Sequence, residues 1–196
     1  MEKQSTLASG QISIKTINDL LKYNFFIPSY QRGYRWTEQH VTDLLNDINE
    51  FSPKEIPNSD EKTWYCLQPI VVKQKGENEW DVIDGQQRLT TIFLIVHYMS
   101  EMWKGKQKNS EFSLRFETRD KSQEFLKSIL VEESSDNVVI NDENIDFYFI
   151  SKAYSTIHNW FKARELGLIA ISNPYRARYS IRYFMLNKNP MYQEQL

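Results

Sequence analysis

Apolar residues recur along this chain at two periods, and the period in each stretch predicts its element. Ile12 to Leu21 places Ile14, Ile17, Leu20 and Leu21 on one helical face, which predicts a short amphipathic helix. Phe25-Phe26-Ile27 runs into Pro28, and a residue before proline is steered away from helical backbone, so this segment reads as extended. Ser29-Tyr30-Gln31-Arg32-Gly33-Tyr34-Arg35-Trp36 follows as a polar and aromatic loop. Thr37 is placed to cap a helix whose stripe is Val41, Leu44, Leu45, Ile48 and Phe51. Ser52 to Lys62, broken by Pro53 and Pro57, is a loop. Trp64 to Gln74 contains Ile70-Val71-Val72 and reads as a strand. Lys75-Gly76-Glu77-Asn78 then turns the chain into a hairpin partner, the alternating Glu79-Trp80-Asp81-Val82-Ile83. Leu89 to Met99 is apolar nearly throughout and predicts a buried helix ending near Trp103-Lys104-Gly105.

Beyond that helix the signals are shorter. Lys106 to Ser110 is a polar loop, and Phe112-Ser113-Leu114-Arg115-Phe116 alternates as a strand. Asp120 or Ser122 is placed to cap a helix through Leu130, with Phe125, Leu126, Ile129 and Leu130 inward. Val131 to Asn141 is acidic and loop-like. Ile145 to Phe161 is helical, with Phe149, Tyr154, Ile157, Trp160 and Phe161 apolar, and Asp142-Glu143-Asn144 forms an acidic first turn. Tyr179 to Met185 suits either helix or strand. The expected class is mixed α/β (α+β): a small mixed sheet with flanking helices in residues 1–105, then a mainly helical extension in 106–196. The absence of a clear capping end at Gln195-Leu196 suggests either a piece of a longer protein or last helices that complete an unfinished second lobe.

Composition narrows the function classes. The 196 residues are 40% hydrophobic and 14% aromatic, enough for a sizeable core. A net charge of -2 gives no global basic signature of a nucleic-acid coat. The single cysteine, Cys66, excludes an intramolecular disulfide and a multi-cysteine zinc site, and its apolar neighbours suggest a small buried hydrophobe. His40, His97 and His158 are scattered on helices without zinc spacing. No signal core opens the chain, and no run of about 18 apolar residues exists, so a cytoplasmic location without membrane contact is expected.

Candidate chemistry concentrates in Asp84-Gly85-Gln86-Gln87-Arg88, a polar cluster between a strand and a helix. A helix start offers backbone N–H groups and a positive dipole end to anions. Gly85 lets a ligand approach the backbone. Gln86 and Gln87 donate and accept, and Arg88 carries a planar fork suited to phosphate. Asp84 would orient the arginine, accept a hydroxyl proton or help hold magnesium. The plainer alternative, that Asp84 caps the helix and Arg88 is its solvated partner, stands on equal terms from these residues alone. Thr90-Thr91 follows, but the glycine-lysine pattern of a P-loop is absent, and hydroxyls there bond back to helix carbonyls by default. In the Tyr30 to Trp36 loop, arginines and aromatics suit stacking on bases, although packing of Tyr34 and Trp36 is the commoner role for such a loop. Arg119, Asp120 and Lys121 read as a solvated helix start.

Taken together, Ile27-Pro28-Ser29-Tyr30-Gln31-Arg32-Gly33-Tyr34-Arg35-Trp36 and Val82-Ile83-Asp84-Gly85-Gln86-Gln87-Arg88-Leu89-Thr90-Thr91 resemble the N-terminal domain of GmrSD-type restriction endonucleases, a domain similar to the ParB/sulfiredoxin fold. The resemblance extends over about residues 12 to 165. It implies a bacterial DNA restriction or anti-phage protein whose N-terminal domain binds and hydrolyses a nucleoside triphosphate. By this resemblance Asp84 and Arg88 are catalytic, with magnesium at Asp84. Gln31, Arg32, Arg35, Gly85, Gln86, Gln87 and Thr90 bind the nucleotide. DNA contact and cutting are expected of the full-length protein, through a nuclease domain or subunit outside these residues. Competing readings are a binding module without chemistry and, ranked last, a direct ParB-like nuclease, since a single carboxylate in the motif is poor provision for two-metal cutting. Gly33 occupies a slot expected to be variable. Gln68-Pro69 stands where leucine-glycine is commoner, a departure expected to alter the strand edge without touching the arginines.

Overall fold

Strict alternation builds the centre of this protein. In the strand Asn24–Ile27 (β2), Phe25 and Ile27 are buried while Asn24 and Phe26 are not. Glu79–Asp84 (β4) buries Trp80 and Val82, and Ser113–Phe116 (β5) buries Leu114 and Phe116. One face of the sheet is therefore apolar and the other polar, as period-two side chains require. A computed structural model describes residues 11–58, 63–102, 112–118, 121–129, 131–132, 136–169 and 190–195.

The mixed sheet has six strands. With Gln11–Thr16 as β1, Leu67–Gln74 as β3 and Pro190–Gln195 as β8, the order is β1-β8-β3-β4-β2-β5. β4, β2 and β5 run parallel, in register Phe25 to Trp80 and Phe25 to Leu114. β3 and β4 form the expected antiparallel hairpin. The sheet crosses the boundary expected near residue 105, since β5 pairs with β2 and β8 with β1 and β3.

Helices cover the apolar face. Glu38–Glu50 (α2) starts after Thr37 as expected and buries Val41, Leu44, Leu45 and Ile48. Gln86–Met102 (α3) is the central helix. Leu89 and Ile92 through Ile95 are at most 3% exposed, so every side of it is covered. Ile145–Ile169 (α5) packs on both α2 and α3 and buries Phe147, Ile150, Tyr154, Ile157, Trp160 and Phe161 at helical spacing. Asn144 caps it, its Oδ1 accepting from the N–H groups of Asp146 and Phe147 at 3.0 Å.

Several expectations need correction. Residues 12–21 are not one helix. Gln11–Thr16 is a strand, Ile14 is 52% exposed, and only Ile17–Leu20 (α1) turns helically, closed by a Thr16/Asp19 capping box. The sequence alternates Ile12-Ser13-Ile14, and its strand partner, β8, comes from the far end of the chain. Ser122 does not cap the helix Ser122–Ser128 (α4). Its Oγ accepts from the Phe116 N–H, tying α4 to the end of β5. The acidic stretch after Ile129 carries a small hairpin of Val131–Glu132 (β6) and Asn137–Val138 (β7). Cys66 is exposed rather than buried, lying just before the point where β3 enters the sheet. Lys106 to Ser110, Arg119-Asp120, Leu130 and Tyr179 to Met185 lie outside the described residues.

Candidate functional site

The three parallel strands end at one edge of the sheet, and ligands of open α/β sheets gather beyond such carboxyl ends. β2 runs into Pro28 and the loop to Trp36, while β4 runs through Gly85 into α3. Gly85 has φ +85, a backbone state that L side chains rarely adopt. A Cβ there would also stand 3.1 Å from the Ile70 Cα and 3.2 Å from the Pro69 carbonyl oxygen. The tight passage over β3 brings the start of α3 against the loop after β2.

Gln87 joins the two segments. It is 7% exposed, its Oε1 accepts from the Arg35 N–H at 2.8 Å, and its Nε2 donates to the Gly33 carbonyl at 3.0 Å. One side chain thus satisfies backbone on both sides of the buried Tyr34. The Tyr34 hydroxyl lies 2.8 Å from Thr91 Oγ1, which itself donates to the Gln87 carbonyl at 2.9 Å, so tyrosine is the donor. Burial raises the Tyr34 hydroxyl well above the usual phenol range. Gln31 adds a further tie, its Nε2 donating to the Ile83 carbonyl at the end of β4.

The arginines divide by role. Arg88 turns to β3, donating to Gln68 Oε1 and, at 2.8 Å, to the Pro69 carbonyl. Half-burial lowers its pKa, and the nearby Asp84 carboxylate opposes that shift. Gln68-Pro69 therefore holds Arg88 directly, contrary to the expectation that this pair leaves the arginines untouched. Arg35 turns to α5, where it pairs with Asp146 and lies 5.5 Å from the centre of the Phe149 ring. Arg32 is exposed and makes no hydrogen bond or ion pair with any described residue. Asp84 is exposed at the strand end. Thr90, 1% exposed, donates to the Gln86 carbonyl at 2.8 Å, the ordinary helix back-bond. Gln86 is 6% exposed, and its Oε1 is buried without a hydrogen-bond partner. Of the loop aromatics, Tyr30 is exposed, Tyr34 is core, and Trp36 stacks on His40 with ring centres 5.8 Å apart.

The chain matches the family described as GmrSD restriction endonuclease, N-terminal domain, over residues 14–193. It belongs to that family. No curated protein matches it. The GmrSD match spans both the strand-rich part with the Asp84 to Arg88 motif and the helices that follow, and it includes the core cluster, whose members run from Ile17 to Phe161.

Within this GmrSD domain the sequence reading missed Asp146. It lies in the first turn of α5, is 1% exposed, and pairs with Arg35. It also decides Gly33, because a Cβ on Gly33 would sit 1.9 Å from Asp146 Oδ1. Gly33 is thus a close-packing position rather than a free slot. The local signal was one acidic residue in the first turn of α5, next to Asp142 and Glu143, which precede the Asn144 cap rather than forming that turn as expected. Among the described residues no helix is long and apolar enough to cross a membrane, and no cluster of three or more His, Cys, Asp or Glu is placed to hold a metal.

Proposed function

We propose that the edge between the Pro28 to Trp36 loop and the start of α3 binds a nucleoside triphosphate and hydrolyses it, and that this event regulates DNA cutting by a nuclease domain or subunit of a restriction or phage-defence system. The observation that carries this reading is the buried, unpartnered Oε1 of Gln86 at the start of α3. An unmet buried acceptor costs about 1–3 kcal/mol, which a ligand donor such as a ribose hydroxyl or a base amine would recover once the Gln86 side chain, 6% exposed, turns toward the edge. Phosphate oxygens would meet the N–H groups of the first turn of α3, which an α-helix leaves without intrahelical partners, next to the Gly85 turn that packs on Ile70 and Pro69.

The free groups at this edge suit the remaining charges. Arg32 has no partner among the described residues and would neutralise phosphate. Asp84 fits a magnesium ion of the usual kind, held by one carboxylate together with phosphate oxygens and water. Bound there, magnesium would draw charge from the transferring phosphoryl group. Gln31, Gln87, Arg88, Arg35 and Thr90 shape the edge through the bonds already described.

A thermal-shift series with the four ribonucleoside triphosphates, with and without magnesium, tests the reading, since a ligand that binds only the folded chain raises its apparent stability. At least one triphosphate should raise the melting temperature, more so with magnesium, and Arg32→Ala should reduce the shift. No shift with any of them would sink the proposal. A second reading, binding without turnover, draws support from the engagement of Arg88 and Arg35 elsewhere. Binding with no phosphate release would select it.

A further inference from the structure

The polar face of the sheet carries a second concavity, formed at the starts of β2, β4 and β5 rather than at their ends. Along β4 it lies about 16 Å from Asp84, from the usual strand rise per residue. Parallel register sets Phe26 beside Asp81 on one side and Arg115 on the other. Because Phe25 and Ile27 face the core, Phe26 faces out. Its ring is flanked by two cations, Lys75 Nζ at 4.5 Å and Arg115 Cζ at 4.9 Å from the ring centre. The cavity between them is about 270 Å³ and is also lined by Glu79, Ser113 and Gln123.

The two cations are held differently, Lys75 near the Asp81 and Glu117 carboxylates and Arg115 against the Phe26 ring. Arg115 makes no hydrogen bond or ion pair with any described residue, so the ring fixes its position while its planar fork stays open. Lys75 has Asp81 at 3.7 Å, a partly exposed pair of the kind that contributes little. An open arginine fork on the wall of a cavity that an ammonium also lines matches an anion with several oxygens. Glu79, exposed on the cavity wall, offers its carboxylate to donors of the same ligand. Gln123 Nε2 already donates to Ser113 Oγ at 3.1 Å, leaving that hydroxyl's proton for another acceptor. The volume admits one small unit, below the size of typical drug pockets.

We propose that this cavity binds a single phosphate-bearing nucleotide unit. The phosphate meets the Arg115 fork at the cavity wall, sugar or base donors meet Glu79, and the half-buried Phe26 ring supports the base. Two sources share this chemistry, a free mononucleotide and one residue of a single strand. The site is separate from the Gly85 edge and does not depend on the reading given to it.

The test uses the full chain carrying Arg32→Ala, so that any nucleotide held at the Gly85 edge is weakened. AMP is titrated by calorimetry, and a short fluorescein-labelled oligothymidylate by anisotropy. At least one probe should bind, and adding Arg115→Ala should weaken it about tenfold or more, near 1.4 kcal/mol. Arg115 is exposed, so circular dichroism and melting temperature should be unchanged. Binding of AMP alone supports a free nucleotide as the source; binding of the oligonucleotide supports a strand. Failure of both probes to bind below about 1 mM, or binding that Arg115→Ala leaves intact, overturns the proposal.

Discussion

Asp146 occupies the space beside Gly33 so closely that a Cβ there would stand 1.9 Å from its Oδ1. The carboxylate cannot simply swing aside, because it is buried and paired with Arg35. Gly33→Ala should therefore destabilise the fold by about 1–3 kcal/mol, the usual cost of forcing atoms into a packed interior. Urea unfolding measures this, and a change within error of zero would show that the ion pair relaxes freely.

Gln87 serves two backbone groups at once, the Arg35 N–H and the Gly33 carbonyl. Gln87→Ala leaves both without their partner in a part-buried place. The expected loss is up to about 2–6 kcal/mol, from about 1–3 for each unmet group, less where water reaches them. Gln87→Glu should recover only part of it, since a carboxylate accepts from Arg35 but cannot donate to Gly33. Equal stability of the glutamate variant and the wild type would contradict this geometry.

Arg32 and Arg88 should separate binding from folding. Arg32 is exposed and has no partner among the described residues, so Arg32→Ala should leave the unfolding midpoint in place while weakening triphosphate binding about tenfold. Arg88 bridges α3 to Gln68 and Pro69. Arg88→Ala should lower stability first, with any loss of nucleotide binding following from a displaced Gly85 turn. Paired denaturation and binding curves on both variants read this out. The opposite assignment of effects would reverse the two roles.

His158 gives the chain a dependence on pH. Its Nε2 donates to the Asp136 carbonyl at 3.0 Å and its Nδ1 faces the Tyr98 hydroxyl at 3.3 Å, so the neutral ring is satisfied. Burial lowers its pKa below the ordinary 6.5. Asp136 stands 3.5 Å from Nε2, but it is half exposed and shared with Lys162, and burial prevails. A histidine with a depressed folded pKa contributes stability above its unfolded value, and that contribution is lost as pH falls through 6.5 toward the folded value. Stability should decline between pH 7 and 5, with a slope of up to about 1.4 kcal/mol per pH unit from this group. His158→Gln should flatten that decline in denaturant titrations across the range.

The helices and the central strands were legible because their signals are local. Val41, Leu44, Leu45 and Ile48 repeat at helical spacing, and all four are buried. Phe112 to Phe116 alternates, and its inward residues are those the alternation selects. The Thr90 hydroxyl bonds one turn back, as threonines in helices do wherever they lie. β1 failed as a helix because Ile12 to Leu21 satisfies both periods, and the tie was broken by a strand at Pro190–Gln195. Ser122 failed as a cap because its partner, Phe116, precedes the helix rather than lying within it.

Local sequence was enough for the central strands and the long helices, the mixed α/β class, the family and the chemistry-bearing cluster at Asp84 to Arg88, but not for β1, β8 or the β6–β7 hairpin. Those follow from periodicity, from turn residues and from the order of residues in a motif. Only the tertiary structure decided what each polar group in the cluster does. Gln87 is spent on a loop 52 positions away, Arg35 on a carboxylate 111 positions away, and Arg88 on Gln68, while Gln86, Arg32 and Asp84 keep groups open. Burial makes every donor and acceptor seek a partner, and which partner is near depends on how distant segments meet.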